Sequence, residues 1–102
     1  MIILGIDPGT ATTGYGILAT SVAKHLKQDK NEKPKVIDFG CIYTTNFDSA
    51  PKRLQIIHHA VNELIKNHKP DIISIESIYF FKNLKTAMPV SQAKGVILLS
   101  AA

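Results

Sequence analysis

The sequence has no tryptophan, one cysteine, and no apolar run approaching the ~20 residues that a membrane-spanning helix requires. The lone Cys41 cannot close an internal disulfide, so no disulfide framework holds this fold and a reducing compartment suits it. Its apolar surroundings, Phe39 to Tyr43, predict a buried and inert thiol. The N-terminal stretch Met-Ile-Ile-Leu-Gly-Ile-Asp carries no basic leader and reaches an acid at position 7, which excludes a signal peptide there. A soluble, cytoplasmic protein with no membrane association is expected. Acids are also scarce: eight Asp and Glu stand against twelve Lys and Arg, for a net charge of +4 and an isoelectric point near 9.3. That imbalance suits a polyanionic partner without identifying one. Repeats, low-complexity tracts and interdomain linkers are missing as well, and 102 residues with 45% apolar content can bury one core. Residues 1–102 are therefore read as a single domain.

What is present is an alternation of strand and helix signals. Ile2 to Ile6 form a short apolar run closed by Asp7-Pro8-Gly9-Thr10, a strand ending in a tight turn. A second strand is expected from Gly14 to about Val22, with Tyr15, Ile17 and Ala19 on one face, and a third from Val36 to Thr45. Between them, residues 24–35 are rich in charge and without apolar period, as in a long solvated hairpin tip. Ser49 can cap a helix in which Pro51 is tolerated in the first turn, and Leu54, Ile57, Val61, Leu64 and Ile65 recur at three- and four-residue steps. Pro70 ends it, with Lys66 and Lys69 suited to its negative end. Asp71 to Glu76 then read as a strand that follows a helix, hence parallel to the first strand through a right-handed crossover. Ser77 to Pro89 is a polar and aromatic stretch, and Val90 to Ala102 a second, strongly apolar helix without a terminal cap. That end reads as the edge of a fragment. The expected class is α/β, a mixed sheet flanked by helices.

Two acids stand out because each ends one of the two apolar parallel strands, and open α/β sheets collect their ligands at the carboxyl ends of such strands. Asp7 and Glu76 would converge if those strands are neighbours, since adjacent strands lie roughly 4.8 Å apart. Like charges that close are costly unless a cation lies between them. Oxygen donors suit magnesium or manganese, and no His and Cys cluster proposes zinc. Any one acid at a strand end is commonly just solvated; two acids placed beside apolar strands carry a desolvation cost that favours function. Asp38, Asp48 and Asp71 fall on a hairpin, a turn and a strand start, and are read as surface.

Four segments in series then resemble the RuvC-type crossover junction endodeoxyribonucleases, which resolve Holliday junctions: Gly5-Ile6-Asp7-Pro8-Gly9-Thr10 with Gly14-Tyr15-Gly16, Ile75-Glu76-Ser77-Ile78-Tyr79, Lys82-Asn83, and Gln92-Ala93-Lys94-Gly95. The resemblance covers nearly the whole chain. It implies an RNase H-like sheet of three antiparallel strands and one parallel strand, in a homodimer that nicks four-way DNA junctions symmetrically with Mg2+, Mn2+ being an alternative. It further implies work beside a branch-migration helicase. Asp7 and Glu76 match the first two of the family's four catalytic, metal-binding acids. Tyr79 falls where the family places an aromatic near the junction centre, with Phe80 and Phe81 competing for the role, and aromatic faces stack on any unpaired base. Lys82, Asn83, Lys85 and Arg53 are candidate DNA contacts. The 24–35 tip is longer than the family's usual hairpin. The family's other two acids lie on a later helix that these residues do not include, so this chain is expected to bind metal weakly and to cut poorly or not at all.

Three other readings stay open. The Asp-Pro-Gly-Thr turn also resembles the first phosphate loop of the actin and Hsp70-type ATPases, although neither a second phosphate loop nor an adenosine pocket is recognisable. An RNase H-like nuclease acting on RNA or on other DNA structures is a nearer rival. A non-catalytic junction-binding fragment is the third; it would be governed by salt rather than by magnesium.

Overall fold

The computed structural model describes residues 1–9, 11–20, 33–76 and 84–102, with side chains in the last segment from residue 88 onward. Strands β1 (Ile2–Asp7), β2 (Thr12–Ala19) and β3 (Lys35–Tyr43) precede helix α1 (Ala50–His68); β4 (Ile72–Ile75) and helix α2 (Leu84–Ala101) complete the order. The sheet runs β3-β2-β1-β4, with β1–β2 and β2–β3 antiparallel and β1–β4 parallel. This is the expected mixed sheet.

The first strand is central because it is apolar on both faces, and its two faces do different things. Leu4 and Ile6 point to the helix side, where they join Ile17, Ile57, Val61, Ala93 and Ile97 in one buried cluster. On the helices, Ile57 and Val61 from α1 and Ala93 and Ile97 from α2 sit four residues apart, one stripe each, so both helices lie on the same side of the sheet. A polar link also joins them: His58 Nδ1 and Ser100 Oγ are 2.7 Å apart, and Asn62 Nδ2 lies 3.1 Å from His58 Nε2. Helix α1 starts as its sequence predicts, with the Ser49 hydroxyl accepting from the Lys52 amide at 3.4 Å and Pro51 in the first turn. It ends on Lys69 in a left-handed conformation, φ 48°, whose amide donates to the Ile65 carbonyl.

Several expectations need correction. Cys41 is exposed, not buried. Along β3 the side chains alternate, Ile42 facing the helices while Phe39, Cys41 and Tyr43 face the other way, and no described residue covers that side. Phe39 is 76% and Tyr43 70% exposed there. A thiol reagent should therefore modify Cys41 in the native protein at close to the rate seen in denaturant; protection of tenfold or more, on the order of what a buried thiol shows, would contradict this placement. Strand β2 starts at Thr12, two residues earlier than expected, and ends at Ala19; residues 21–32, which hold the end of the expected strand and most of the charged tip, lie outside the described residues. Helix α2 begins at Leu84 rather than Val90, with Pro89 inside it. Proline in that position forfeits one amide bond, to the Lys85 carbonyl, which the burial of Ala93 and Ile97 further along outweighs.

Gly40 makes room for Tyr15: the ring crosses it from β2, and a Cβ there would stand 2.9 Å from the Tyr15 hydroxyl, so the ring would have to shift. Burial and the neighbouring Asp38 carboxylate push the Tyr15 phenol above its ordinary range. Asp71 is a clamp, as a strand-start residue can be: its carboxylate accepts from the Ile2 amide at 2.8 Å, and its own amide donates to the Ile2 carbonyl at 2.8 Å. That bond fixes one end of β4 on β1.

Candidate active site

The other end of the same strand pair carries the two acids. The parallel register pairs Ile6 with Ile75, and the Glu76 amide donates to the Ile6 carbonyl at 3.0 Å, so Asp7 and Glu76 leave β1 and β4 side by side. Their carboxyls are within hydrogen-bonding reach of each other. The bond to Asp7, and then its negative charge, raise the Glu76 carboxyl above the ordinary glutamate range. Both side chains are exposed, which corrects the argument from buried charge: their mutual repulsion, not desolvation, marks them as a pair.

Around them the sheet face is nearly bare. Gly5 lies opposite Gly16, Asp7 opposite Gly14, and Ser74 beside Gly5, forming with Tyr15, Ile6 and Glu76 an open basin of about 520 Å³. A Cβ at Gly16 would meet nothing within 4 Å, and those at Gly5 and Gly14 would make only ordinary contacts at 3.9 Å. Packing among the described residues therefore does not require these three glycines, although glycine weakens a strand interior.

The turn that carries Asp7 is constrained from both sides. The Thr13 hydroxyl donates to the Gly9 carbonyl at 2.8 Å and lies 3.3 Å from the Gly9 amide. A Cβ on Gly9 would come within 2.0 Å of the Thr12 carbonyl oxygen, a backbone atom that cannot yield. Thr44 at the end of β3 reaches the same loop, its amide donating to the Ala11 carbonyl at 3.0 Å. The Thr44 hydroxyl in turn accepts from Arg53 Nε at 2.9 Å, which fixes the half-buried Arg53 near the acid-bearing end of the sheet.

Of the residues picked out in the sequence, Asp7 and Glu76 are thus brought together, and Arg53 is held at the same end of the sheet. Tyr79, Phe80, Phe81, Lys82 and Asn83 lie outside the described residues, and of Lys85 only the helical backbone in α2 is described. Sequence reasoning passed over Thr13, and took Gly5, Gly14 and Gly16 only as motif members; the signal for a glycine floor was Gly14 and Gly16 two residues apart on β2, with Gly5 opposite Gly16 on the face that bears Asp7. Oxygen donors in this arrangement fit a hard divalent cation such as Mg2+ or Mn2+. The two acids form a partial shell, since among the described residues no group of three or more His, Cys, Asp or Glu could hold a metal.

The family model for crossover junction endodeoxyribonuclease RuvC matches residues 3–102. This chain belongs to the RuvC family. A RuvC from Petrotoga mobilis is 46% identical over 99 residues, covering 97% of this chain and 55% of that protein. The RuvC of Alkaliphilus metalliredigens is 47% identical over 102 residues, covering all of this chain and 57% of the relative. Among solved structures, T. thermophilus RuvC in complex with Holliday junction substrate superposes with a TM-score of 0.84 at 25% identity, over 99% of this chain and 59% of that one. The fold is accordingly RNase H-like, and the family match is to RuvC, the first of the resemblances that the Asp-Pro-Gly-Thr turn raised. The chain spans about half the length of the curated relatives it matches. No described helix is long and apolar enough to cross a membrane.

Proposed function

We propose that this chain contributes the first half of the catalytic centre of a Mg2+-dependent Holliday-junction resolvase, with Asp7 and Glu76 as catalytic metal ligands. The observation that carries the reading is the pairing of two exposed carboxylates at the carboxyl ends of adjacent parallel strands, one of them held above its ordinary range by the other. A divalent ion bound there would offset that repulsion and supply Lewis-acid activation of water and phosphate. The chain's own residues then have plain tasks. Asp7 and Glu76 present anionic oxygens from two strands of fixed register, and the glycine floor leaves room for a phosphodiester backbone to approach. Arg53, steadied by Thr44, is a candidate phosphate contact, and Lys82, Asn83 and Lys85 are further candidates. Tyr79 or Phe80 is proposed to stack on a base at the junction centre.

A four-way junction has two equivalent scissile sites, which a two-fold homodimer matches. Exposed Leu98 and Leu99 on α2, 52% and 69% accessible, provide an apolar flank suited to a second copy. A branch-migration helicase is the remaining proposed partner, and the cytoplasm the proposed site of action.

The test is cleavage of a labelled four-way DNA junction, beside a linear duplex of the same sequence, with Mg2+ or with EDTA. This chain is compared with a version joined to the later part of the Petrotoga mobilis relative. The joined protein is expected to cut the junction only with Mg2+. If it binds junction no better than duplex and never cuts, the resolvase reading is wrong. If it binds junctions selectively and cuts nothing, with affinity set by salt alone, the chain is a junction-binding module instead.

A further inference from the structure

We propose that Thr13 is a positioning residue for Asp7: its buried hydroxyl locks the turn that follows the acid, and metal affinity depends on that lock. The inference rests on the proposed role of Asp7 and Glu76 and extends it to a residue that touches neither metal nor substrate.

Thr13 is 1% exposed, the most buried polar side chain among the described residues. It lies just beyond the last β1–β2 pair, Asp7 with Gly14, and its backbone pairs with Ile42 of β3. Its side chain therefore sits beneath the loop on the helix side, while Asp7 projects on the opposite face. The hydroxyl closes a reciprocal bond with one residue, donating to the Gly9 carbonyl and accepting from the Gly9 amide. Gly9 is also pressed against the Thr12 carbonyl so closely that no side chain fits, and Pro8 between Asp7 and Gly9 is buried. Both residues after Asp7 are thus fixed from below. β1 is also paired with β4 on its other side, where the Glu76 amide donates to the Ile6 carbonyl, so the backbone at Asp7 is held both before and after the acid.

The hydroxyl is the part that matters. Valine has the shape of threonine and would fill the same buried space, but it would leave the Gly9 amide and carbonyl without their partner, so the turn must shift to find others. Serine keeps the bond and loses a methyl. A residue that only filled the core would rank these substitutes the other way.

The experiment uses Mn2+ and Mg2+ on this chain, without any cleavage readout. Mn2+ broadening of the Asp7, Gly14 and Glu76 amide signals is followed by NMR, and Mg2+ affinity by displacement of that broadening. Thr13→Val is expected to weaken binding by about tenfold or more while Thr13→Ser stays within about twofold of wild type, the range over which outer-shell partners act on metal sites. Thr13→Val at wild-type affinity, with its fold retained by circular dichroism, overturns the proposal and leaves the metal reading standing. If Thr13→Val does not fold, Gly9→Ala displaces the same turn with Thr13 intact; a comparable loss supports the lock, and unchanged affinity overturns it. A wild-type chain whose Asp7 and Glu76 signals ignore Mn2+ overturns both the metal reading and the positioning role.

Discussion

Replacing Glu76 with glutamine in the joined, cleaving protein is expected to lower junction cleavage by at least about a hundredfold, since losing a metal ligand should cost no less than losing an outer-shell partner. Glutamine keeps the size and one oxygen but removes the charge, so binding of the junction itself should change little. Asp7→Asn should match it. The two variants should also differ from wild type in their pH dependence. The Glu76 carboxyl holds its proton above the ordinary glutamate range because of Asp7. In the metal-free protein the folded state therefore binds more protons than the unfolded one across that range, and stability falls as pH rises through it. Mg2+ competes with that proton, so metal affinity should climb with pH over the same interval. Asp7→Asn removes the two largest causes, and the Glu76 carboxyl should move down toward its ordinary range, as a carboxyl-carbon NMR titration would show. An unchanged Glu76 titration in Asp7→Asn would mean that the two acids do not share a site.

The largest stability effect should come from Leu4. This side chain is fully buried on the central strand, paired across the ladder with Ile17 on one side and Ile73 on the other, beneath both helices. Leu4→Ala should cost about 3 kcal/mol, the usual range for emptying a packed leucine site. In a domain stabilised by roughly 5–15 kcal/mol this is a large fraction. Urea unfolding would show the midpoint falling with the slope unchanged. A loss below about 1 kcal/mol, in the range of surface substitutions, would mean the site is not packed as described. The same change should weaken Mg2+ binding indirectly, because Leu4 and Asp7 are on one strand and only its register joins them.

The parts of this molecule that were legible in its sequence are those written in local periodicity. Leu54, Ile57, Val61, Leu64 and Ile65 announce one face of a helix; Ser49, Pro51 and Pro70 mark its ends, and α1 follows them closely. The apolar runs before Asp7 and Glu76, separated by a helix, imply parallel neighbours, and the β1–β4 ladder is that pairing. What failed depended on which side of a sheet is covered. Phe39-Gly-Cys-Ile-Tyr43 is apolar throughout, so nothing local distinguishes Ile42, which packs on the core, from Cys41, which does not. Pro89 carries a strong stop signal that more distant contacts override. The acids were found for a partly mistaken reason, since the charge between them and not their burial makes the pair costly. The Thr13 lock was hidden because a threonine near a strand start reads as ordinary β content, whereas its role appears only once the loop closes over it.

The ladder between β1 and β4 joins segments about seventy residues apart in the chain, as the Ile2 to Asp71 bond shows with its separation of 69. Closing so long a loop carries an entropic cost that the β1–β4 contacts and the packing of α1 between them in sequence must offset. Before that step Asp7 is a lone carboxylate on a hairpin; after it, a paired site exists. Any ion that needs both acids therefore recognises only the finished fold, and its binding should raise the melting temperature in proportion to the logarithm of its concentration. Metal occupancy thus becomes a report on whether β4 has arrived.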